Sequence, residues 1–235
     1  MKFENTYVGN FEGAIRGMRN PLASWDKSDS HYETLVEYLE NVKSEKDIKE
    51  VKYIIGENDL NLAHRLIKAG PEHRKFLRQI FVSVDITAPL YWWKEMDTYK
   101  VATVANSTST MHKLASTPIT LDCFETDDFE EDLEYFQGNT TGMLSEIIIE
   151  QLEFLRQMYN ETKDVRYWKE LIRWLPEGWL QKRTWTANYE TIRAICSKGQ
   201  RRNHKLTEWS ISFINWARTL PYAEEFIFDD EQEEK

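Results

Sequence analysis

At 235 residues the chain is long enough for one large domain that buries its apolar surface without a disulfide or a metal ion. Hydrophobic residues make up 41% of it and aromatic residues 13%, which excludes disorder over most of its length. The formal net charge of −10 argues against a nucleic-acid partner, because a long polyanion would be repelled. A membrane partner is not expected either, since no apolar run reaches the roughly 20 residues that a spanning helix needs.

The N-terminal residues and the cysteines predict a cytoplasmic protein. The chain begins with neither the apolar core of a signal peptide nor the Arg/Ser bias of a transit peptide. Cys123 and Cys196 have neither metal-site spacing nor the density of a secreted disulfide scaffold. The five histidines are scattered, and no two stand at i, i+4 on one predicted helix, so no metal site is predicted.

Apolar periodicity in the first part of the chain predicts short strands and amphipathic helices. Asn20-Pro21 and Gly70-Pro71 are expected to end helices, and Asp29 or Ser30 to cap one. The predicted elements are a strand at Lys2–Val8, helices at Asn10–Met18, Ser30–Val42 and Leu60–Ala69, and a strand at Ile80–Ile86.

Helices dominate the predictions for the rest of the chain, and the pattern at Thr141–Asn160 is the clearest. The others are a helix from Ala88-Pro89 through Met96, extended pieces at Tyr99–Val104 and Thr184–Ala187, a polar loop at Asn106–Thr110, an irregular stretch at Thr117–Asp128, and helices at Asp164–Leu175, Asn188–Ser197 and Leu206–Thr219. Neither an internal repeat nor a Gly/Ser linker is present, so residues 1–228 are expected to form a single domain. The acidic residues 229–235 are expected to form a disordered tail.

Two segments carry residues suited to binding an anion. The first joins an aromatic helix to four consecutive hydroxyl side chains, Ser107–Thr110, and hydroxyl and backbone N–H groups are good phosphate ligands. The alternative is a solvated polar turn. Trp92 and Trp93 on the same helix have two readings, core packing or an aromatic wall beside a planar ligand.

The second segment places several cations between two predicted helices. Lys198, Arg201 and Arg202 follow the helix that starts at Asn188, and another helix begins near Lys205. A helix N-terminus beside cations attracts anions, so the segment is a candidate phosphate site, with a solvated basic turn as the alternative. We expect this segment and the hydroxyl-rich loop to bind one anion together, since each alone is weak.

The order of residues in these segments resembles that of a known family. The helix opened by Ala88-Pro89 leads to Thr98-Tyr99-Lys100, which is followed by Thr103 and then by Thr108 and Thr110. In the flavin-dependent thymidylate synthase family, Ala-Pro opens a helix that leads to an Arg/Thr-His-Arg triplet, a serine, and a Ser-x-Arg pair that holds the nucleotide phosphate. The chain is similar to that family over about a third of its length.

The second segment resembles the C-terminal signature of the same family, a Thr-x-Thr strand, an Asn-started helix, an arginine and a His-Ala-Gln-x-Glu-Ile run. Here Thr184-Trp185-Thr186 precedes Asn188, and the run from His204 to Trp209 keeps His204 and Glu208. The family arginine falls among residues 198–202. The upstream Glu-His pair of the family matches either Glu72-His73 or Arg78-Gln79.

The resemblance implies an α+β fold, a curved and mostly antiparallel sheet flanked by long helices, assembled as a homotetramer. It implies an enzyme that transfers a one-carbon unit to a deoxyuridine monophosphate-type nucleotide with bound FAD. Methylenetetrahydrofolate would be the carbon donor and NADPH the reductant. No side-chain nucleophile is required, because reduced flavin and a cationic pocket polarise the pyrimidine.

The resemblance also assigns roles to residues of this chain. The residues expected to bind the cofactor are Thr98, Tyr99, Lys100, Thr103, Asn188 and His204. Those expected to bind the nucleotide are Glu95, Thr108, Ser109 and Thr110. The cations expected to act in catalysis are Lys198, Arg201 and Arg202.

Substitutions in the family motifs leave two further interpretations open. Tyr99 in place of histidine removes a group that titrates near neutral pH, and Lys100 in place of arginine removes a bidentate fork. Thr110 in place of arginine removes a phosphate ligand, which Lys113 or His112 would have to replace. One alternative is therefore a non-catalytic, nucleotide-binding homologue with an interaction role. The other is a helical protein whose motif matches are coincidental.

Overall fold

The computed structural model of the protein describes residues 1–34, 39 and 52–230. Contacts between residues divide the chain into two compact units, each built from several segments. The first unit comprises Met1–Asn5, Val84–Lys100 and Val104–Trp185, and the second Thr6–Ser83, Val101–Thr103 and Thr186–Lys235. The organisation as one domain followed by a tail stays a prediction.

The strands form one four-stranded sheet and one small ribbon. They are β1 at Lys2–Gly9, β2 at His31–Tyr32, β3 at Tyr53–Ile54, β4 at Phe81–Pro89, β5 at Val104–Ser107 and β6 at Leu180–Asn188. The sheet has the order β1-β4-β6-β5, while β2 pairs with β3 so that Tyr32 lies opposite Tyr53. The fold is mixed helix and antiparallel sheet, as the resemblance implies.

Most predicted helices are confirmed to within a few residues, with Asn188 as the N-cap of α7 as expected. The helices are α1 at Phe11–Arg19, α2 at Glu57–Lys68, α3 at Leu90–Met96, α4 at Thr110–Lys113, α5 at Thr141–Thr162, α6 at Val165–Arg173, α7 at Tyr189–Ile195, α8 at Ile214–Arg218 and α9 at Ala223–Phe226. The predicted helix Leu206–Thr219 differs, because Glu208–Phe213 forms a π-helix before α8 begins.

The longest helix of the described residues, α5, has two apolar faces in the first unit. Its N-terminus is capped by the Thr140 side chain, which accepts a hydrogen bond from the Met143 backbone N–H. One face buries Leu152 against Leu114, Ile119 and Leu171. The other face carries large apolar side chains that are about half exposed. These are Met143 at 48%, Ile147 at 56% and Phe154 at 52%.

A buried ion pair joins two segments of the second unit. The Arg19 guanidinium donates through Nε to Asp59 Oδ1 at 2.5 Å, and both side chains are almost fully buried. The second carboxylate oxygen of Asp59 accepts from Ser28 Oγ at 2.7 Å and from Ser30 Oγ at 2.6 Å. Because the charge is both paired and hydrogen-bonded, its burial is tolerated.

The start of the predicted helix Ser30–Val42 is wrong. His31 and Tyr32 form strand β2, and Asp29 caps a different helix by accepting from the backbone N–H groups of Asn58 and Asp59 in α2. The capping signal was real, but its partner is a helix that begins 28 residues later in the chain. Of the rest of that predicted helix, residues 35–38 and 40–42 lie outside the described residues.

We expect Asp59→Asn to lower the free energy of unfolding at pH 7 by about 3–5 kcal/mol, because Arg19 would keep a buried charge without its counter-ion. Chemical unfolding measures this, with the exposed Asp26→Asn as the matched control. A loss no larger than that of the control would contradict the structure.

The same pair predicts how stability depends on pH. Burial acts to raise the pKa of Asp59, but hydrogen bonds from Ser30, Ser28 and Arg19 outweigh it and lower the pKa. The contribution of Asp59 is therefore complete above its unfolded pKa of about 3.9 and decreases as the pH falls below that value. Acid titration of the unfolding free energy should show a smaller loss in the Asn variant.

Candidate functional site

In the first unit, the end of β4 and the start of α3 are fixed by a neighbouring loop. The backbone N–H groups of Leu90 and Tyr91 donate to the carbonyls of Trp179 and Glu177, each at 3.1 Å. Trp92 and Trp93 are completely buried, with ring centroids 4.9 Å apart. The packing reading of the Trp pair is thus confirmed, and the aromatic-wall reading is wrong.

The triplet Thr98–Lys100 lies in the turn just after α3. The Thr98 hydroxyl donates to the Glu95 carbonyl at 2.7 Å, and the Tyr99 N–H donates to the Met96 carbonyl at 3.0 Å. Thr98 and Lys100 are exposed, and Glu95 and Tyr99 are partly buried. The structure therefore presents the Lys100 ammonium to solvent at the C-terminal end of this helix, while the Thr98 hydroxyl donates its hydrogen within the protein.

The hydroxyl-rich segment is more regular than predicted. Asn106 and Ser107 belong to strand β5, and Thr110 begins the short helix α4, so the predicted loop Asn106–Thr110 is wrong in extent. The extended piece predicted at Tyr99–Val104 is a turn up to residue 102, with the strand following it. The backbone N–H of Thr108 donates to the Lys182 carbonyl at 2.9 Å, which attaches the segment to β6.

Lys113 and His112 are the two residues proposed to replace the missing family arginine, and the structure describes the side chain of Lys113 but not that of His112. Lys113 is exposed at the end of α4, with its backbone N–H bonded to the Ser109 carbonyl at 3.0 Å. The side chain of His112 lies outside the described part of the chain. Thr110 and Ser109 are partly buried, so Thr108 is the most accessible hydroxyl of the three candidate nucleotide ligands.

In the second unit, Asn188 is a structural cap. Its side-chain oxygen accepts from the Thr191 backbone N–H at 2.9 Å, and the residue is buried. The Thr191 hydroxyl donates to the Val101 carbonyl at 3.3 Å. This contact brings the segment Val101–Thr103, and with it Thr103, to the first turn of α7.

The basic turn after α7 is only partly solvated. Arg202 donates through Nε to the Cys196 carbonyl at 2.8 Å and through Nη2 to Asp230 at 2.9 Å. The Arg201 guanidinium lies over the Trp209 ring, 4.8 Å from its centroid. Lys198 is exposed. Arg202 is therefore held by bonds within the protein, whereas Lys198 and Arg201 lie nearer the surface of the turn.

His204 has a defined tautomer. Its Nδ1 accepts from the Leu206 backbone N–H at 3.1 Å, so the neutral ring carries its proton on Nε2. Glu208 is buried within the π-helix four residues later. π-Helical turns are frequent at functional sites, which adds a structural signal to a position that the resemblance had singled out.

Cys196 does not supply a nucleophile. It is fully buried beside the basic turn, and burial raises the pKa of its thiol to about 12. The thiol is protonated at neutral pH and therefore a poor nucleophile.

Two residues that the sequence did not single out lie beside the candidate residues of the first unit. Gln181 and Arg183 occupy alternate positions of β6, so their side chains share one face of the strand. Gln181 bonds the Thr108 carbonyl, and Arg183 forms an ion pair with Asp97. No local sequence signal pointed to them, because both precede the extended piece predicted at Thr184–Ala187.

Two classes of site are not found in the described ranges. No helix there is long and apolar enough to cross a membrane. Across residues 1–34, 39 and 52–230, no group of three or more His, Cys, Asp or Glu side chains is arranged to hold a metal ion.

Comparison with solved structures identifies the fold. The chain is similar to flavin-dependent thymidylate synthase ThyX from Helicobacter pylori complexed with FAD and dUMP, with a TM-score of 0.65 and 15% identity over 98% of this chain and 99% of that one. A second structure of ThyX from Helicobacter pylori with FAD and dUMP gives a TM-score of 0.61 and 14% identity over 95% of each chain. No protein-family profile matches the sequence, and no curated protein matches it. The chain thus has the flavin-dependent thymidylate synthase fold.

The ion pairs at the C-terminus predict two different truncation results. Asp229 pairs with Arg193, and Asp230 pairs with Arg202, so these two residues of the predicted tail make specific contacts. Ending the chain at Phe228 should lower the free energy of unfolding by on the order of 2 kcal/mol, because two largely buried arginines lose their carboxylates.

Ending the chain at Asp230 instead keeps both ion pairs and serves as the matched control. It should change stability by less than about 0.5 kcal/mol. Urea unfolding of the two truncated chains and the full chain measures both effects, and equal stability of all three would show that the pairs do not contribute.

Proposed function

We propose that this chain is a flavin-dependent thymidylate synthase-like protein that binds FAD and a deoxyuridine monophosphate-type nucleotide and transfers a one-carbon unit to that nucleotide. The observation that carries the proposal is the similarity of fold over nearly the whole length of both chains to an enzyme complexed with FAD and dUMP. The motif positions Thr98–Lys100 and Thr108–Thr110 support it, since both are at least partly accessible in the first unit.

The residues proposed to hold FAD have suitable chemistry. Lys100 offers an ammonium to a cofactor that carries two phosphates, and Tyr99 offers a ring with a hydroxyl. Thr98 would have to exchange the hydrogen bond from its hydroxyl to the Glu95 carbonyl for one to a phosphate. The resemblance adds Thr103, Asn188 and His204, of which His204 presents a protonated Nε2. When bound, FAD would supply the hydride-carrying chemistry that amino-acid side chains lack.

The residues proposed to hold the nucleotide are hydroxyls. Thr108, Ser109 and Thr110 would bind the phosphate, and Glu95 is a further residue that the resemblance assigns to the nucleotide. Because Arg202 is bound to Asp230, the role of polarising the pyrimidine falls to Lys198 or Arg201. Methylenetetrahydrofolate and NADPH are the co-substrates that the family reaction requires. The proposed location is the cytoplasm, which accords with two cysteines that form no disulfide.

A non-catalytic, nucleotide-binding homologue is the second candidate. The ion pair between Arg202 and Asp230 favours this candidate, because it removes one of the three cations proposed to act in catalysis. Thr110 at the start of α4 favours it too, since a hydroxyl replaces the family arginine there. Product formation from dUMP separates this candidate from an enzyme that binds the same ligands.

The first test of the proposal is FAD binding. We expect the purified protein to bind FAD, and Lys100→Met to weaken that binding at least about tenfold, because a charge-assisted hydrogen bond is lost. Quenching of flavin fluorescence measures the affinity. Lys94→Met is the matched control, since Lys94 is an exposed lysine on α3 that pairs with Glu177.

The outcomes separate the candidates. Binding of FAD and dUMP with formation of thymidylate supports the enzyme. Binding of dUMP without product, when methylenetetrahydrofolate and NADPH are supplied, supports the non-catalytic homologue. A protein that binds neither ligand contradicts both.

We further infer that the chain forms a homo-oligomer, with a tetramer expected from the resemblance. The exposed apolar face of α5, defined by Met143, Ile147 and Phe154, is the surface that supports this inference. Three large apolar side chains at helical spacing on one face are more than a monomer usually leaves in contact with water. A second copy presenting the same face would bury them by two-fold symmetry.

Ile147→Glu should dissociate this oligomer, because burying a carboxylate without a partner at the centre of the face is costly. Light scattering and sedimentation at micromolar concentration measure the mass, and circular dichroism checks that the helix persists. Val165→Glu, at an exposed apolar residue that begins α6, is the control and should leave the mass unchanged. A wild-type monomer would contradict the inference.

A further inference from the structure

A chain of contacts in the first unit runs from the end of α3 to the hydroxyl-rich segment. It begins at Asp97, which directly precedes the triplet Thr98–Lys100, and ends at Thr108. The two side chains between them come from one strand, β6. These contacts therefore link the residues assigned to the cofactor with those assigned to the nucleotide.

Arg183 forms the first half of the chain of contacts. Its Nη1 donates to both carboxylate oxygens of Asp97, at 2.8 and 3.1 Å, and its guanidinium lies 4.3 Å from the Trp93 ring centroid. The side chain is only 15% exposed. The buried Trp93 ring fixes the plane of the guanidinium, and Asp97 fixes its direction.

Gln181 forms the second half. Its Oε1 accepts from Arg183 Nε at 2.9 Å, and its Nε2 donates to the Thr108 carbonyl at 2.8 Å. The backbone carbonyl of Gln181 accepts from Trp93 Nε1 at 2.9 Å. Both ends of its side-chain amide are thus used, and the residue is almost fully buried.

The orientation of this amide is set by its two partners. Arg183 Nε can only donate and the Thr108 carbonyl can only accept, so the Gln181 side chain has one arrangement that satisfies both. The Thr108 backbone is held a second time, by its N–H bond to the Lys182 carbonyl. An exposed hydroxyl residue whose N–H and C=O are both bonded to one strand is preorganised.

We propose that Gln181 and Arg183 are positioning residues that hold Thr108 in place for the nucleotide phosphate and that together determine nucleotide affinity. The proposal rests on the proposed function, which assigns the phosphate to Thr108. Arg183 acts through Gln181 rather than as a phosphate ligand itself, because Asp97, Gln181 and Trp93 already occupy its Nη1, its Nε and one of its faces.

The experiment compares two affinities in the same variant. In Gln181→Met the side chain keeps its approximate size and loses both hydrogen bonds. We expect the affinity for dUMP, measured by calorimetry on the FAD-loaded protein, to fall roughly three- to tenfold, since the hydrogen bond that orients the Thr108 carbonyl is lost. The affinity for FAD should stay unchanged. A general loss of structure would lower both.

A matched control and a second variant sharpen the test. Gln157→Met removes an exposed amide on α5 that bonds Glu153, and it should change neither affinity. Arg183→Lys keeps the charge beside Asp97 and loses the planar fork that reaches Gln181. The double variant Gln181→Met/Arg183→Lys should lose no more dUMP affinity than the larger single loss, because the two side chains act as one unit. Additive losses would contradict the linked mechanism.

Hydrogen exchange of the Thr108 backbone N–H tests the positioning role without any ligand. Gln181→Met should speed this exchange several-fold, while Gln157→Met leaves it unchanged. If the wild-type protein binds no FAD, the proposed function fails, but faster exchange at Thr108 still supports the positioning role. Unchanged exchange in Gln181→Met, or unchanged dUMP affinity in a protein that binds FAD, overturns the proposal.

Discussion

The pairing and side-chain alternation of strand β6 are the constraint on which the candidate residues depend. Nine residues, Leu180–Asn188, form this strand, and alternate positions from Gln181 to Ala187 bury or half-bury their side chains. A shift of one residue would turn Gln181 and Arg183 to the opposite face and break the bonds to Thr108 and Asp97. The strand then runs directly into the cap of α7, so its register also fixes where that helix begins.

Sequence patterns predicted the elements that depend on interactions between residues close together in the chain. The helix α5 follows from apolar spacing, and the cap at Asn188 follows from a polar residue placed just before an apolar helix. The helix predicted from Ser30 failed at its start because Asp29 and Ser30 bond to α2 and to Gly56 just before it, 26 to 30 residues away. Sequence spacing identifies a capping residue but does not say which helix it caps.

The candidate site also contains residues that the local sequence singled out and residues that only contacts between distant parts of the chain reveal. The resemblance assigned roles to Thr98–Lys100 and Thr108 from motif order; the structure leaves Thr98, Lys100 and Thr108 exposed and Tyr99 partly buried, and their roles stay predictions. Neither Gln181 nor Arg183 was predicted, because their role depends on a pairing between β5 and β6 that brings residues more than 70 positions apart together. The ion pair between Arg202 and Asp230 was not predicted either, because the two residues are 28 positions apart in the chain. Residues that are close in space but distant in the chain leave no pattern in the sequence around them.

These contacts change how the substitutions in the family motifs should be interpreted. A chain with net charge −10 repels an anionic nucleotide at long range, so the proposed binding would require short-range, well-oriented groups. Lys100 supplies a less directional charge than the family arginine at the matching position, and Thr110 supplies no charge. The preorganised Thr108 offsets part of that loss, because fixing its backbone before binding removes an entropic cost that a mobile loop would incur. On the proposed function, nucleotide binding and catalysis would therefore be separable. The hydroxyl segment proposed to support binding is held by β6. Polarisation of the pyrimidine would fall to Lys198 or Arg201, because Arg202 is bonded to Asp230.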